Sequence, residues 1–240
     1  MPQFFINSKS VNGQNIEFQE DYNHLVKSLR LKKGEKLKLI DENEMIYETS
    51  VTEIKKSTIL TKIEKSYKSS RKLNFNLYLA QVPLRSDAQN IIIEKATELG
   101  VKKVYPLISK NCSLAKNVIL KKIEKWGKIM VESSKQCERA DIPICTQPYD
   151  IESLINAEKF DKIIAFCERN AEFSLKEFLR ENPIKTGDNV LIIIGPEGGF
   201  TAEEFEFFSR NNIPKITLGE MILRAETAVI VALGNIIYEN

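Results

Sequence analysis

The chain has 240 residues, 42% of them hydrophobic, with one histidine, four cysteines and a formal net charge of +2. That composition suits one large or two small folded domains and excludes a disordered chain. No apolar run approaches the roughly 18 residues needed to span a bilayer, and the start Met1-Pro-Gln-Phe-Phe-Ile-Asn7 lacks a basic region followed by a long apolar one, so a cytoplasmic protein is expected.

Residues 1–72 hold 14 Lys/Arg against 10 Asp/Glu, a net of +4, which leaves −2 for the remainder. Within this basic part, strand character at 3–6, 36–40, 45–54 and 57–65 is punctuated by turn residues at Asn12-Gly13, Lys33-Gly34 and Asp41-Glu-Asn43, with one short helix at 22–31. It reads as a small β-rich module, residues 1–70, and the polar run 65–72 reads as a linker.

From residue 73 the pattern changes to strands alternating with helices. Strands are expected at 73–82, 103–107, 162–166, 190–194 and 215–218, and helices at 87–99, 117–136, 174–180, from 202 and at 226–238. Such alternation predicts an α/β domain, 73–240, with a mostly parallel sheet. Between 102 and 128 eight lysines face a single acid, Glu124, a stretch able to meet a phosphate backbone as well as to form a solvated helix face.

Two strand ends stand out. Val190 to Ile194 is apolar without alternation, as in a strand buried on both faces, and stops at Gly195-Pro196-Glu197-Gly198-Gly199. Thr201 and Glu204 then form a capping box for the next helix. Leu218-Gly219-Glu220-Met221-Ile222-Leu223 likewise follows a short strand and precedes a helix. Ligands in parallel sheets sit beyond the carboxyl ends of strands, so both loops could line one pocket. The glycine loop has neither the Gly-Lys-Ser/Thr of a Walker loop nor the Gly-x-Gly-x-x-Gly spacing of a dinucleotide site. Cys112, Cys137, Cys145 and Cys167 form no Cys-x-x-Cys pair, and with His24 the single histidine no metal site is expected.

Leu223-Arg-Ala-Glu-Thr-Ala228 beside Gly195-Pro-Glu-Gly-Gly-Phe-Thr201 resembles the ribosomal RNA small subunit methyltransferase E family of the SPOUT superfamily. Lys95-Ala-Thr-Glu-Leu-Gly-Val101, Glu132-Ser-Ser-Lys-Gln-Cys-Glu-Arg-Ala140, Gln3-Phe-Phe-Ile6 and His24-Leu-Val-Lys-Ser-Leu-Arg30 extend the match along the chain. The resemblance implies a PUA-like RNA-binding β-barrel, an α/β SPOUT domain with a carboxyl-terminal trefoil knot, and a homodimer. It implies methyl transfer from S-adenosylmethionine to N3 of a uridine in the decoding region of 16S ribosomal RNA. The cofactor is then expected at Gly195, Pro196, Glu197, Gly198, Gly199, Leu218, Gly219, Ile222 and Leu223, and RNA at Arg30, Arg85, Gln136 and Arg139.

N3 of uracil carries a proton near neutral pH, and a cationic donor near the carbonyls would stabilise the anion left by its loss. Arg224, directly after the second loop and before a helix amino terminus, is the candidate, against a salt bridge to Glu226 or to a dimer partner. Arg139 could instead bridge Glu138 or Asp141. The chain departs from the family at Glu220-Met221, where Pro-Arg is common, at Arg85, where lysine is common, and at Ala225, where threonine is frequent. Another SPOUT enzyme acting on transfer RNA or a ribose hydroxyl, a noncatalytic RNA-binding dimer, and a phosphate-binding metabolic enzyme remain alternatives.

Overall fold

The structure, a computed structural model, describes residues 1–85 and 87–240. It divides into two compact units, Met1–Lys72 with Ser134–Asp141, and Leu73–Ser133 with Ile142–Asn240.

The first unit is a six-stranded sheet of β1 (Gln3–Phe5), β2 (Val11–Asn12), β3 (Asn15–Phe18), β4 (Lys36–Ile40), β5 (Met45–Ile54) and β6 (Ile59–Lys68), in the order β1-β4-β5-β6-β3-β2. Only β1 and β4 pair in parallel. The long β5–β6 pair shifts register between Glu48 and Thr49 and again between Val51 and Glu53, irregularities that raise local twist and bend the sheet about its core. That core holds Phe4, Ile16, Phe18, Leu25, Leu37, Leu39 and Ile59. The helix expected at 22–31 is a single π turn, His24–Ser28, and β6 runs on to Lys68 through half of the expected linker.

Pattern alone does not indicate that Ser134–Asp141 belongs to this unit. Local contacts explain it. Gln3 Nε2 donates to the Arg139 carbonyl at 2.5 Å, Ala140 packs with Ile40 and Ile46, and Glu138 accepts from Arg71 at 2.8 Å and Lys38 at 3.3 Å. Lys135 pairs with Asp21 at 2.8 Å.

The second unit comprises β7 (Asn76–Gln81), α1 (Ala88–Glu98), β8 (Lys103–Pro106), α2 (Lys116–Gln136, whose last turn passes into the first unit), β9 (Ile144–Cys145) and α3 (Ile151–Ala157). It continues through β10 (Lys162–Phe166), β11 (Phe173–Ser174), α4 (Leu175–Glu181), β12 (Asn189–Ile194), α5 (Ala202–Arg210), β13 (Lys215–Thr217) and α6 (Ala225–Tyr238). Its seven strands are all parallel, in the order β11-β13-β10-β12-β7-β8-β9.

The unalternated run in β12 is used as its composition predicts. Val190, Ile192 and Ile194 pack into the core that holds Ile92, Trp126 and Val229 of α1, α2 and α6. Leu191 and Ile193 face the other side, with Leu154 of α3 and Phe208 of α5. Helices on both faces exclude water from the sheet, and burying each such aliphatic side chain stabilises the fold by about 1.5–3 kcal/mol. Among the described residues no helix is long and apolar enough to cross a membrane.

Candidate active site

The carboxyl ends of β10, β12 and β13 open into one cavity of about 450 Å³. That volume lies within the roughly 300–1,000 Å³ of small-molecule sites. The glycine loop after β12 forms one wall and the loop Leu218 to Leu223 another. Both predicted loops therefore do line a single pocket.

The glycine loop is held by its neighbours. Thr201 caps α5 through the predicted box: the Thr201 N–H donates to Glu204 Oε2 at 2.8 Å, and the Glu204 N–H donates back to Thr201 Oγ1 at 3.4 Å. Glu204 Oε1 also accepts the Lys110 N–H at 3.1 Å, and Asn111 Nδ2 donates to the Gly198 and Gly199 carbonyls at 3.3 and 3.0 Å. Gly199 adopts φ +68°, a left-handed conformation that costs a residue with a side chain about 1–2 kcal/mol. The aromatic ring of Phe200 lies so close to Gly195 that a Cβ there would meet Phe200 Cε2 at 3.0 Å. Eight of the nine expected cofactor positions line the cavity. Gly198 does not; a Cβ on it would sit in ordinary contact with Asn111, 3.5 Å away.

The second loop turns on Thr217, whose Oγ1 donates to the Gly219 carbonyl at 2.9 Å and accepts the Gly219 N–H at 3.1 Å. Met221 and Ile222 are 78% and 67% exposed, although both line the cavity. Arg224 follows at the N-cap of α6 in extended conformation, with its side chain exposed at the cavity. Among the described residues it has no carboxylate partner, so the alternative salt bridge to Glu226 is not formed within the chain. Glu226 lines the same cavity.

Sequence reasoning missed a third contributor, the end of β10: Phe166, Cys167 and Glu168. Strand 162–166 was legible, and the rule that ligands gather beyond parallel strand ends would have extended to its last residues. Burial pushes the Cys167 thiol up to about 12, with the Glu168 charge adding to the effect, so this sulfur is no nucleophile near neutral pH. Apolar walls, exposed loop backbone, three carboxylates and one guanidinium fit a nucleoside-sized ligand that carries both positive and negative groups. No group of three or more His, Cys, Asp or Glu residues suited to a metal ion occurs among the described residues.

Residues 71–237 match the RNA methyltransferase domain family, and residues 19–64 match the RNA methyltransferase PUA domain. A ribosomal RNA small subunit methyltransferase E from Mesomycoplasma hyopneumoniae is 33% identical, covering 96% of each chain. Its counterpart from Rickettsia conorii is 30% identical across 98% of this chain and 94% of its own. The chain belongs to the ribosomal RNA small subunit methyltransferase E family. Among solved structures, a Legionella pneumophila protein in complex with the bound cofactor SAM superposes with a TM-score of 0.85 at 27% identity, covering 98% of this chain and 96% of that one.

The positions that the methyltransferase E resemblance assigns to RNA belong to both units. Arg85, in the second unit, is exposed but directs Nε and Nη2 onto the Ser113 carbonyl at 2.9 and 2.6 Å. Arg30, in the first unit, is exposed with φ +54°. Gln136 and Arg139 group with the first unit. Gln136 is exposed, whereas Arg139 is largely buried and holds Asp141 through Nε at 3.2 Å and Nη2 at 2.6 Å. Burial works against the Asp141 charge, yet Arg139 outweighs it and keeps this carboxyl below its usual range. The bridge from Arg139 to Asp141 that the sequence allows is formed within the chain.

Proposed function

We propose that the protein transfers a methyl group from S-adenosylmethionine to N3 of a uridine in the decoding region of 16S ribosomal RNA. The observation that carries this reading is the single cavity at the ends of β10, β12 and β13, with Arg224 on its rim and the glycine loop in its wall. The similar Legionella chain, solved with SAM, supports the choice of cofactor.

The sulfonium supplies an electrophilic methyl group, so the chain's work is alignment, water exclusion and charge stabilisation. Ile194, Leu218, Ile222 and Leu223 provide apolar walls, while Glu168, Glu197 and Glu226 offer acceptors to hydroxyl and amino groups. Arg224, unpaired among the described residues, holds its donors ready for the uracil carbonyl oxygens as N3 loses its proton. His24, the chain's one histidine, lies in the first unit, and solvent or substrate phosphate takes that proton instead.

In this reading the first unit, including Gln136, supplies RNA affinity, and the carboxyl-terminal segment is knotted. A second copy covers the exposed Ile91 of α1 and Ile230 and Tyr238 of α6, giving a cytoplasmic homodimer. Incubating the purified protein with S-adenosylmethionine and unmodified small subunits should yield one uridine methylated at N3, read by nuclease digestion and mass spectrometry. A methyl group on a ribose oxygen or at another base position, or none at all, would overturn the assignment.

A further inference from the structure

The first unit contains a concavity of its own, about 480 Å³ and open to solvent, between the residues preceding and within the π turn and the β5–β6 hairpin tip. Both walls are fixed. The hairpin closes through the Lys55 N–H donating to the Thr58 carbonyl at 2.9 Å, which places Lys56 and Ser57 at the tip. Opposite, the Tyr22 hydroxyl donates to the Lys55 carbonyl at 2.6 Å, and the Tyr22 N–H closes a turn on the Gln19 carbonyl at 3.2 Å. A half-buried aromatic ring is thereby anchored to the facing strand end.

The charges around this groove are unevenly compensated. Glu17 is taken up by Lys55 at 2.9 Å and Thr58 at 2.7 Å, Asp21 by Lys135, and Glu20 accepts the Gln19 N–H at 3.1 Å. Lys27 and Lys56 are exposed, line the groove, and have no carboxylate partner among the described residues. Gln19 and Asn23 add exposed amides, which both donate and accept. Two uncompensated ammoniums, an anchored ring and two amides in one fixed concavity have the chemistry of single-stranded nucleic acid sites, in which cations hold the phosphate and an aromatic face takes the base.

We propose that this groove is a subsite for an unpaired ribonucleotide of the RNA substrate, its phosphate held by Lys27 and Lys56 and its base set against Tyr22, with Gln19 and Asn23 at the base edge. The proposal rests on RNA being the substrate and adds where an unpaired stretch is gripped.

The test is fluorescence anisotropy with a short fluorescein-labelled single-stranded RNA, titrated at salt concentrations from about 50 to 200 mM. The proteins are wild type, the double variant Lys27→Gln/Lys56→Gln, and Lys32→Gln/Lys33→Gln as an equal charge change outside the groove. Loss of two phosphate contacts should flatten the log–log salt slope by about 1.4, so that across this range wild type loses about sevenfold more affinity than the groove variant. The control pair should keep the wild-type slope, and all three should keep the same melting temperature and cofactor affinity. Equal losses in both pairs, or no loss in either, would overturn the subsite and leave only diffuse surface charge. Methyl transfer by wild type to small subunits, measured alongside, reports on the enzyme reading separately: activity with an unchanged groove variant defeats this proposal alone.

Discussion

Glu168 lies against the backbone of Gly199: a Cβ built on that glycine would come within 3.2 Å of Glu168 Oε1. One residue earlier, the space around Gly198 is ordinary, and its φ is not in the left-handed region. Two adjacent glycines thus answer to different constraints.

Gly199→Val should therefore weaken cofactor binding by about tenfold or more, since left-handed strain of about 1–2 kcal/mol adds to the displacement of Glu168. Gly198→Ala should bind within about twofold of wild type, because its contact with Asn111 is ordinary. Calorimetry with S-adenosylhomocysteine, with circular dichroism as a check on folding, measures both. Equal effects at the two positions would mean that the loop is read by the ligand as a whole.

Arg224→Lys keeps the charge but loses the planar, multi-donor guanidinium. Turnover should fall about 10²–10³-fold with cofactor affinity little changed, as for removal of one anion-stabilising donor. Raising the pH should partly restore the rate, because more uracil is then already deprotonated at N3. A lowered melting temperature, a dissociating dimer and no rescue by pH would instead make Arg224 a structural residue.

The Arg139–Asp141 pair should show in acid unfolding. The folded Asp141 carboxyl is depressed, so its contribution is complete above the unfolded value near 3.9 and is lost as pH falls through the lower folded value. Arg139→Gln should cost about 1.5–3 kcal/mol near neutral pH, and the gap to wild type should narrow below about pH 4. Denaturant melts at several pH values check this; a gap independent of pH would place the cost in packing instead.

Much of this was legible from sequence because local chemistry and tertiary use agree. The β-branched run of β12 has no polar face to turn outward, and Thr201 with Glu204 spells a helix start whatever surrounds it. What stayed hidden depends on distant partners. Nothing in Gly198-Gly199 alone says which of the two takes φ +68°; in the fold the Gly199 N–H closes a turn on the Pro196 carbonyl at 2.9 Å, while the distant Asn111 holds both glycine carbonyls. The allegiance of Ser134–Asp141 is set by Gln3, Lys38 and Arg71, all at least 60 residues away in sequence, and Glu168 entered the cavity only through the neighbouring strand order β13-β10-β12.

The position of β12 also sets how the second unit opens. Flanked by β10 and β7 and covered on both faces, its amide hydrogens are shielded by two ladders and two layers of helix. Local fluctuations that expose the sheet's ends need not reach it, so Leu191 to Ile193 should exchange with deuterated solvent only when most of the unit opens. The glycine loop is thus mounted on the slowest-opening backbone of its unit, a stiff post from which the more exposed Leu218 to Leu223 loop can move without carrying the opposite wall along.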